Sequence, residues 1–231
     1  MTDKECMRLE VKDRIASIIL DSPPDNRMTR RFFDQLEYTI QKLEALEIGA
    51  LLLYSGGRHF SAGADLEEIK NSIIEPYRNG KGLNKALELS VLKDCALLNK
   101  IETLPFPVIG AISGLCTGSG LELALACNIR ICSKDCLMGS PEINWGLITG
   151  CNGSLRLERI IGRARALEFI IQGQLINSST ALTMGLANSV VEGKSLIPEA
   201  YKLAWLLAQK EREQINSFIK REIYYGNGGI S

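Results

Sequence analysis

The chain has 231 residues, of which 45% are hydrophobic and 23% charged, as is typical of one globular domain with a substantial core. Its 27 Lys and Arg residues balance 27 Asp and Glu residues, so no overall charge favours nucleic acid or an acidic membrane as a partner. The first residues lack the apolar stretch of a signal peptide, and no apolar run is long enough to span a bilayer. We therefore expect a soluble cytoplasmic protein.

The first half of the chain is predicted to contain short strands and amphipathic helices. Its predicted elements are a hairpin of strands 7–11 and 15–20, a helix from the cap Thr29 to about Leu46, a buried strand 50–54, and a mostly helical stretch 66–100 with a weak segment at 76–82.

The second half repeats the same alternation without a linker or a low-complexity segment. Its predicted elements are strands 108–112, 129–133 and 137–139 and helices 120–127, 153–161, 163–172 and 178–184. A loose order of strand, strand and helix results.

The seven cysteines are expected to be reduced thiols that serve as small core residues. Cys132 and Cys136 have a spacing found in metal sites. However, no second Cys or His pair accompanies them, and His59 is the only histidine. We expect no metal site.

Glu122 and Glu142 are the most informative residues, because each follows a turn-forming segment. Two carboxylates in one cleft can divide proton transfers between them, one taking a proton while the other gives one. That is the chemistry of adding or removing water. Taken singly, Glu122 also fits a solvated helix residue, and Glu142 a carboxylate favoured by a helix dipole.

The turn Gly118-Ser119-Gly120 follows a predicted strand and opens a helix, as a dinucleotide fingerprint does, but Leu123 stands where the third glycine belongs. No phosphate-binding lysine and no Gly-x-Ser-x-Gly motif occurs. What remains is a set of backbone N–H groups that favour negative charge. Residues 58–66 contain a second such turn. Two donor turns suit an oxyanion hole, in which a thioester carbonyl becomes an enolate.

With these residues the chain resembles the enoyl-CoA hydratase/isomerase, or crotonase, superfamily from residue 7 to about 222. The matching blocks are residues 25–29, 59–66, 114–127, 140–147 and 181–187. The resemblance implies an α/β fold, a crotonase-like spiral of ββα units over residues 1–190 followed by a shortened C-terminal helical region at 191–231. It also implies an acyl-CoA thioester ligand, a homotrimer or dimer of trimers, and no cofactor beyond the coenzyme A of the substrate.

The same resemblance assigns roles to individual residues. It implies that the N–H groups of Ala62 and Ser119 form the oxyanion hole, that Glu122 and Glu142 are the catalytic pair, and that Gly150 lies beside the catalytic water. The CoA and acyl chain are expected to pass Arg27, Ala64, Asp65, Leu66, Leu115, Gly118, Pro141 and Leu147. His59 falls at a variable position of the family and is not expected to be catalytic.

Four features depart from the family pattern. Ser119 replaces a glycine, which requires a negative φ at this position. Asn128 replaces an aspartate, and residues 149–153 replace a Pro-Gly-x-Gly-Gly loop with less flexible residues. Only residues 186–231 follow Gly185, so the helices that close the acyl pocket and pack on a neighbouring subunit are expected to be short.

Hydration of a 2-enoyl-CoA is the first functional hypothesis, with the carboxylates acting on water and on the C2 proton. Double-bond isomerisation, which needs only one carboxylate, is the alternative within the superfamily. A CoA-thioester-binding or assembly subunit with little activity is a third, because a fold does not guarantee its function. The acyl group, its carrier (CoA or acyl-carrier protein), the direction of the reaction and the division of roles between the glutamates stay open at this stage.

Overall fold

The computed structural model describes residues 5–79 and 85–219. Its strands are β1 (Met7–Lys12), β2 (Ile15–Leu20), β3 (Ala50–Ser55), β4 (Val108–Ile112), β5 (Leu115–Thr117), β6 (Ile129–Ser133), β7 (Leu137–Gly139), β8 (Leu175–Asn177) and β9 (Ser189–Val191). Its α-helices are α1 (Arg30–Leu43), α2 (Leu66–Ile69), α3 (Glu75–Arg78), α4 (Lys85–Glu102), α5 (Ser119–Ala126), α6 (Gly153–Ile161), α7 (Arg163–Gln172), α8 (Ser178–Met184), α9 (Leu196–Ala208) and α10 (Arg212–Phe218). A π-helical turn (Lys70–Ile74) joins α2 to α3, and 3₁₀ turns cover Pro141–Trp145 and Gly193–Ser195.

Two sheets form the framework. The larger has the strand order β1-β2-β3-β4-β6-β9 and is parallel except for the β1–β2 hairpin. The smaller has the order β5-β7-β8, with β5 and β7 parallel and β8 antiparallel to β7. The chain passes from β4 to β5 and from β6 to β7, so successive strands enter different sheets before the next helix begins. This alternation confirms the predicted α/β class.

Strand β3 shows why the larger sheet is apolar on both faces. Because strand side chains alternate, Leu51 and Leu53 belong to the main core, while Ala50 and Leu52 belong to a second core. In the second core they meet a line of small residues on α9, namely Ala200, Ala204 and Ala208. Helix α9 lies within the region predicted as a separate C-terminal part, yet it covers one face of the sheet.

Most elements predicted from periodicity are confirmed to within a few residues. Thr29 caps α1 by accepting the Phe32 N–H at 3.3 Å, and the helix ends at Leu43 rather than near Leu46. The sequence pattern misses β5, β8 and β9, which have three residues each, although the equally short β7 was predicted. The predicted weak segment at 76–82 is helical as far as Arg78, and residues 80–84 lie outside the described part.

All seven cysteines are free thiols and six of them are buried, as predicted for core residues. Among the described helices, none is both long and apolar enough to cross a membrane.

Candidate active site

The side chain of Asn26 organises one wall of the site. Its Nδ2 donates to Ser55 Oγ at 2.8 Å and to the carbonyl oxygens of His59 and Phe60 at 2.9 and 3.2 Å. Ser61 Oγ then donates to the carbonyl of Asn26 at 2.7 Å. This buried network fixes the start of the turn that carries the small residues 61–64.

The turn offers a different backbone donor from the one expected. The N–H of Ala62 donates to the carbonyl of Asp25 at 2.9 Å, so it is already engaged. Within the described residues, the N–H groups of Ala64 and Ser119 have no hydrogen-bond partner. The predicted role of Ala62 as a donor is therefore wrong for this structure, and Ala64 is the free donor of the turn.

Gly63 brings the two free N–H groups together. Its φ of +88° favours glycine, and a Cβ there would lie 2.6 Å from the carbonyl oxygen of Thr117 and 3.4 Å from the nitrogen of Ser119. The backbone beside Ala64 therefore packs directly against the start of α5. Ala64 and Ser119, whose N–H groups have no hydrogen-bond partner among the described residues, line one cavity, which is compatible with an oxyanion hole.

Ser119 is compatible with its position at the start of α5. The left-handed conformation falls on the preceding residue, Gly118, which has a φ of 54°, whereas Ser119 is not among the residues with positive φ. The condition that the sequence imposed on Ser119 is met. A serine can supply this N–H without backbone strain.

Glu122 lies one turn further along α5 and is only 2% exposed. Neither carboxylate oxygen has a partner of good hydrogen-bond geometry in the described residues. Burial, together with the negative charge of Glu142, raises the pKa of Glu122 to about 8, against the opposing effects of Arg156 and the Gly150 N–H. Glu122 is therefore largely protonated at neutral pH.

Glu142 belongs to the 3₁₀ turn that forms the opposite wall. Burial raises the pKa of its carboxyl as well, and its Oε2 has no partner among the described residues. A Cβ on Gly118 would lie 3.3 Å from Glu142 Oε1, which places this carboxylate against the start of α5. The two carboxyl groups thus approach one space from different elements and influence each other's ionisation.

Both carboxylates open into a cavity of about 840 Å³. Nine predicted site residues line it: Ala62, Ala64, Gly118, Ser119, Glu122, Pro141, Glu142, Leu147 and Gly150. The walls away from the glutamates are largely apolar and include Met28, Phe33, Ile69, Val91 and Ile148. A cavity of this size and lining suits a small organic group held by a few polar contacts.

Three of the remaining predicted binding residues, Arg27, Asp65 and Leu115, do not line this cavity. Arg27 forms exposed ion pairs with Asp25 at 3.3 Å and Asp65 at 3.2 Å. Asp65 also caps α2 by accepting the N–H of Glu67 at 2.9 Å. Leu115 lies in β5, where its N–H donates to Nδ1 of His59 at 3.1 Å, and the side chain of Leu66 lies outside the described part.

Sequence reasoning missed Arg156, whose side chain is 2% exposed. Its Nη1 donates to the carbonyl of Cys151, its Nη2 to Asn99 Oδ1 at 2.7 Å, and its Nε to Glu102 Oε2 at 3.1 Å. The signal was available in the sequence. Arg156 lies beside Leu157 on the face of α6 that points to the core, where an arginine needs buried partners.

The loop before α6 has an unusual backbone conformation. Cys151 has a φ of 41° and Asn152 a φ of 62°, although neither is glycine. Both positions lie in the loop 149–153 that departs from the family pattern, and both have left-handed backbone conformations. Gly150 and Cys151 both line the cavity next to Glu122.

Comparison with known proteins identifies the family of this chain. The family model described as enoyl-CoA hydratase/isomerase matches residues 10–222. A probable enoyl-CoA hydratase from Bacillus subtilis (strain 168) is 34% identical over 221 residues, which cover 95% of this chain and 81% of the relative.

Solved structures agree in fold. The enoyl-CoA hydratase from Bacillus anthracis superposes with a TM-score of 0.83 at 27% identity, covering 94% of this chain and 81% of the other. A putative enoyl-CoA hydratase from Thermobifida fusca YX in complex with CoA gives 0.84 at 22% identity, covering 97% and 87%. The predicted crotonase-like spiral is confirmed. The chain belongs to the enoyl-CoA hydratase/isomerase family.

Proposed function

We propose that the protein catalyses the reversible addition of water to the double bond of a 2-enoyl-CoA thioester. The observation that carries this proposal is the presence of Glu122 and Glu142 in one cavity, beside the unpaired N–H groups of Ala64 and Ser119. Each of these features has a separate task in the reaction.

The two N–H groups bind the thioester oxygen. When water attacks C3, electrons move through the double bond and the oxygen gains the negative charge of an enolate. Donors that already point at this oxygen stabilise the charge without reorganisation, and one such donor contributes about 2.7–4 kcal/mol in a hydrolase. The N-terminal end of α5 adds a favourable dipole at Ser119.

The two glutamates handle the protons. Hydration removes one proton from the attacking water and delivers one to C2, so the pair must hold one proton in total. Mutual repulsion and burial produce that state, because the raised pKa of Glu122 keeps it largely protonated while Glu142 can ionise. The pair ends each cycle with the same number of protons as it began.

The CoA thioester is proposed from the family and from the shape of the cavity. The Thermobifida fusca relative was solved in complex with CoA, so this fold accommodates that ligand. The apolar walls formed by Met28, Phe33 and Val91 suit an acyl chain, while the donors and carboxylates meet the polar thioester and water. The chemistry so described requires no cofactor beyond the coenzyme A of the substrate.

Hydration is favoured over isomerisation because both carboxylates reach the cavity. A screen of 2-enoyl-CoA and 3-hydroxyacyl-CoA thioesters tests this, with the absorbance of the conjugated double bond as the signal. We expect loss of absorbance with enoyl thioesters, a gain with hydroxyacyl thioesters, and one deuterium at C2 of the hydroxy product formed in D₂O. Interconversion of 2- and 3-enoyl thioesters without a hydroxy product identifies an isomerase. Tight binding without turnover identifies a binding subunit.

We also propose a homotrimer or dimer of trimers in the cytoplasm. The segment after Glu142 exposes Ile143, Trp145 and Ile148 at 42%, 57% and 86%, and a neighbouring subunit is a suitable cover. Seven free thiols fit a reducing compartment. Sedimentation should show a trimer or hexamer at micromolar concentration, and Trp145→Glu should dissociate it. A clean wild-type monomer contradicts the proposal.

A further inference from the structure

Arg156 is a buried cation that lies behind the candidate active site. It belongs to α6, which packs against α5, the helix of Glu122. Its side chain is 2% exposed, and Arg156 does not line the main cavity. A buried guanidinium carries a large desolvation cost unless it is paired and hydrogen-bonded. The groups that contact the Arg156 guanidinium therefore indicate its role.

Two kinds of contact surround the guanidinium. On one side, Nε and Nη2 lie 3.1 Å from Glu102 Oε2, and Nη2 donates to Asn99 Oδ1 at 2.7 Å. On the other side, Nη1 donates to the carbonyl of Cys151. The residue before Cys151 is Gly150, whose N–H faces the Glu122 carboxylate. Arg156 thus connects the charge of Glu102 to the loop that touches Glu122.

We propose that Arg156 is a positioning residue for the proposed hydration, holding the Gly150–Cys151 backbone against Glu122 and supplying a positive charge that stabilises the anionic form of that carboxylate. This inference rests on the proposed function. Glu102 completes the arrangement, because its negative charge offsets part of the charge of Arg156.

The other charged groups near Glu122 do not replace this cation. The titratable groups on the elements around Glu122 include Glu142 of the 3₁₀ turn, Cys151 of the loop, Cys116 of β5, Asp94, Cys95 and Glu102 of α4, and the exposed Glu158 and Arg159 of α6. Two lysines of α4, Lys93 and Lys100, form exposed ion pairs with Glu37 and Glu44. Glu142 opposes ionisation of Glu122, while Arg156 favours it.

Opposite charge changes at Arg156 and Glu102 should move the pH profile in opposite directions. Arg156→Gln removes the cation, so Glu122 keeps its proton to higher pH and the alkaline limb of kcat rises by about one pH unit. Glu102→Gln removes the negative charge beside Arg156, so Glu122 loses its proton at lower pH. The alkaline limb of kcat therefore moves to lower pH. In Arg156→Gln, kcat should fall about tenfold or more because Glu122 is held less firmly in place. KM should change little because Arg156 does not line the cavity.

Arg156→Lys and Arg159→Gln complete the set. The lysine variant keeps the charge but loses the forked contact, so its alkaline limb should stay near that of the wild type while kcat falls. Arg159 lies 3.8 Å from the same Glu102 but on the exposed side of α6, and Arg159→Gln should leave both limb and rate unchanged. Circular dichroism and thermal melting verify that each variant folds.

The carboxyl titration can also be followed without turnover, by ¹³C NMR of glutamate labelled at its carboxyl carbon. Shifts in opposite directions for Arg156→Gln and Glu102→Gln support the inference even if no thioester is hydrated, in which case only the proposed function fails. If the alkaline limbs of the two variants do not move, or move in the same direction, the inference is overturned and Arg156 has only a structural role. If Arg156→Gln does not fold, Arg156→Lys decides: an alkaline limb near that of the wild type with a lower kcat supports the inference, and an unchanged kcat overturns it.

Discussion

The two walls of the cavity are built in contrasting ways. The wall that carries Glu122 is α5, in which every residue from Gly120 to Ala126 is buried. The wall that carries Glu142 is the 3₁₀ turn Pro141–Trp145, in which no residue is fully buried. Burial raises the pKa of both carboxyl groups, but Glu122 is held in a buried helix, whereas Glu142 lies on a more exposed turn.

This difference separates two requirements of the proposed chemistry. A rigid, dehydrated acid needs the core around it, and the cost is an unpaired carboxyl in a buried helix. An opening for a large thioester needs a wall that is not packed on both sides. The contrast predicts that changes on the α5 side act on stability as well as on rate, while changes on the Glu142 side act mainly on rate.

The largest expected effect comes from removing either proton-transfer group. Glu122→Gln and Glu142→Gln keep the shape of the side chain, and each should lower the hydration rate by at least about 10²-fold with thioester binding little changed. The double variant should lose much less than the product of the single losses, because groups that act on one water form a unit.

Glu158→Gln on the exposed face of α6 serves as the control and should keep the wild-type rate. Steady-state kinetics with the best thioester of the panel measure all four variants. A rate that depends on Glu142 alone indicates an isomerase. Wild-type rates in both single variants contradict the hydration proposal.

Ser119 tests the rigid wall through its backbone. Proline is tolerated at the first position of a helix but lacks an N–H, so Ser119→Pro should remove one oxyanion donor and lower kcat about a hundredfold or more. Ser119→Gly keeps the donor and should be tolerated or slightly more active. Equal rates for a folded proline variant and the wild type show that Ser119 does not supply the donor.

The free energy of unfolding should depend on pH because the carboxyl group of Glu122 is buried. The folded-state pKa of Glu122 lies above its ordinary value of 4.5, at about 8, so the folded state binds more protons than the unfolded state between these values. Stability is therefore highest below the lower pKa and is lost as pH rises through the upper one.

Glu122→Gln removes this dependence. From pH 5 to pH 8, the free energy of unfolding of the variant relative to that of the wild type should rise by about 3 kcal/mol. Urea unfolding at both pH values measures the difference, and Glu158→Gln again provides the control. A gain that is the same at pH 5 and pH 8 contradicts the raised pKa of Glu122.

Much of this molecule could be predicted from its sequence, for local reasons. The hairpin, the Thr29 cap and the strands β3 and β4 follow from periodicity and from residues that act on their immediate neighbours. The proximity of the two glutamates followed from the family blocks. Each of these features depends on short segments of sequence and can be predicted without knowing their contacts with the rest of the chain.

The errors concern contacts between distant segments. Ala62 and Ala64 lie two positions apart in one turn, and only the hydrogen bond from Ala62 to Asp25 shows which N–H is free. Likewise, the role of Arg156 depends on Glu102, which lies 54 positions away. Sequence patterns identify a polar residue on a buried face but do not identify its partner.

The smallest expected effect concerns the loop between the two walls. Asn152 has a φ of 62° and a ψ of 22°, a left-handed conformation that asparagine tolerates and alanine does not. Its side chain is exposed and, among the described residues, makes one long hydrogen bond of 3.4 Å to Asn99, so the backbone conformation decides the outcome. Asn152→Ala should lower the free energy of unfolding by about 1 kcal/mol, while Asn152→Gly should change it by less than about 0.5 kcal/mol. Thermal unfolding measures both, and an alanine variant as stable as the glycine variant shows that no strain lies at this residue.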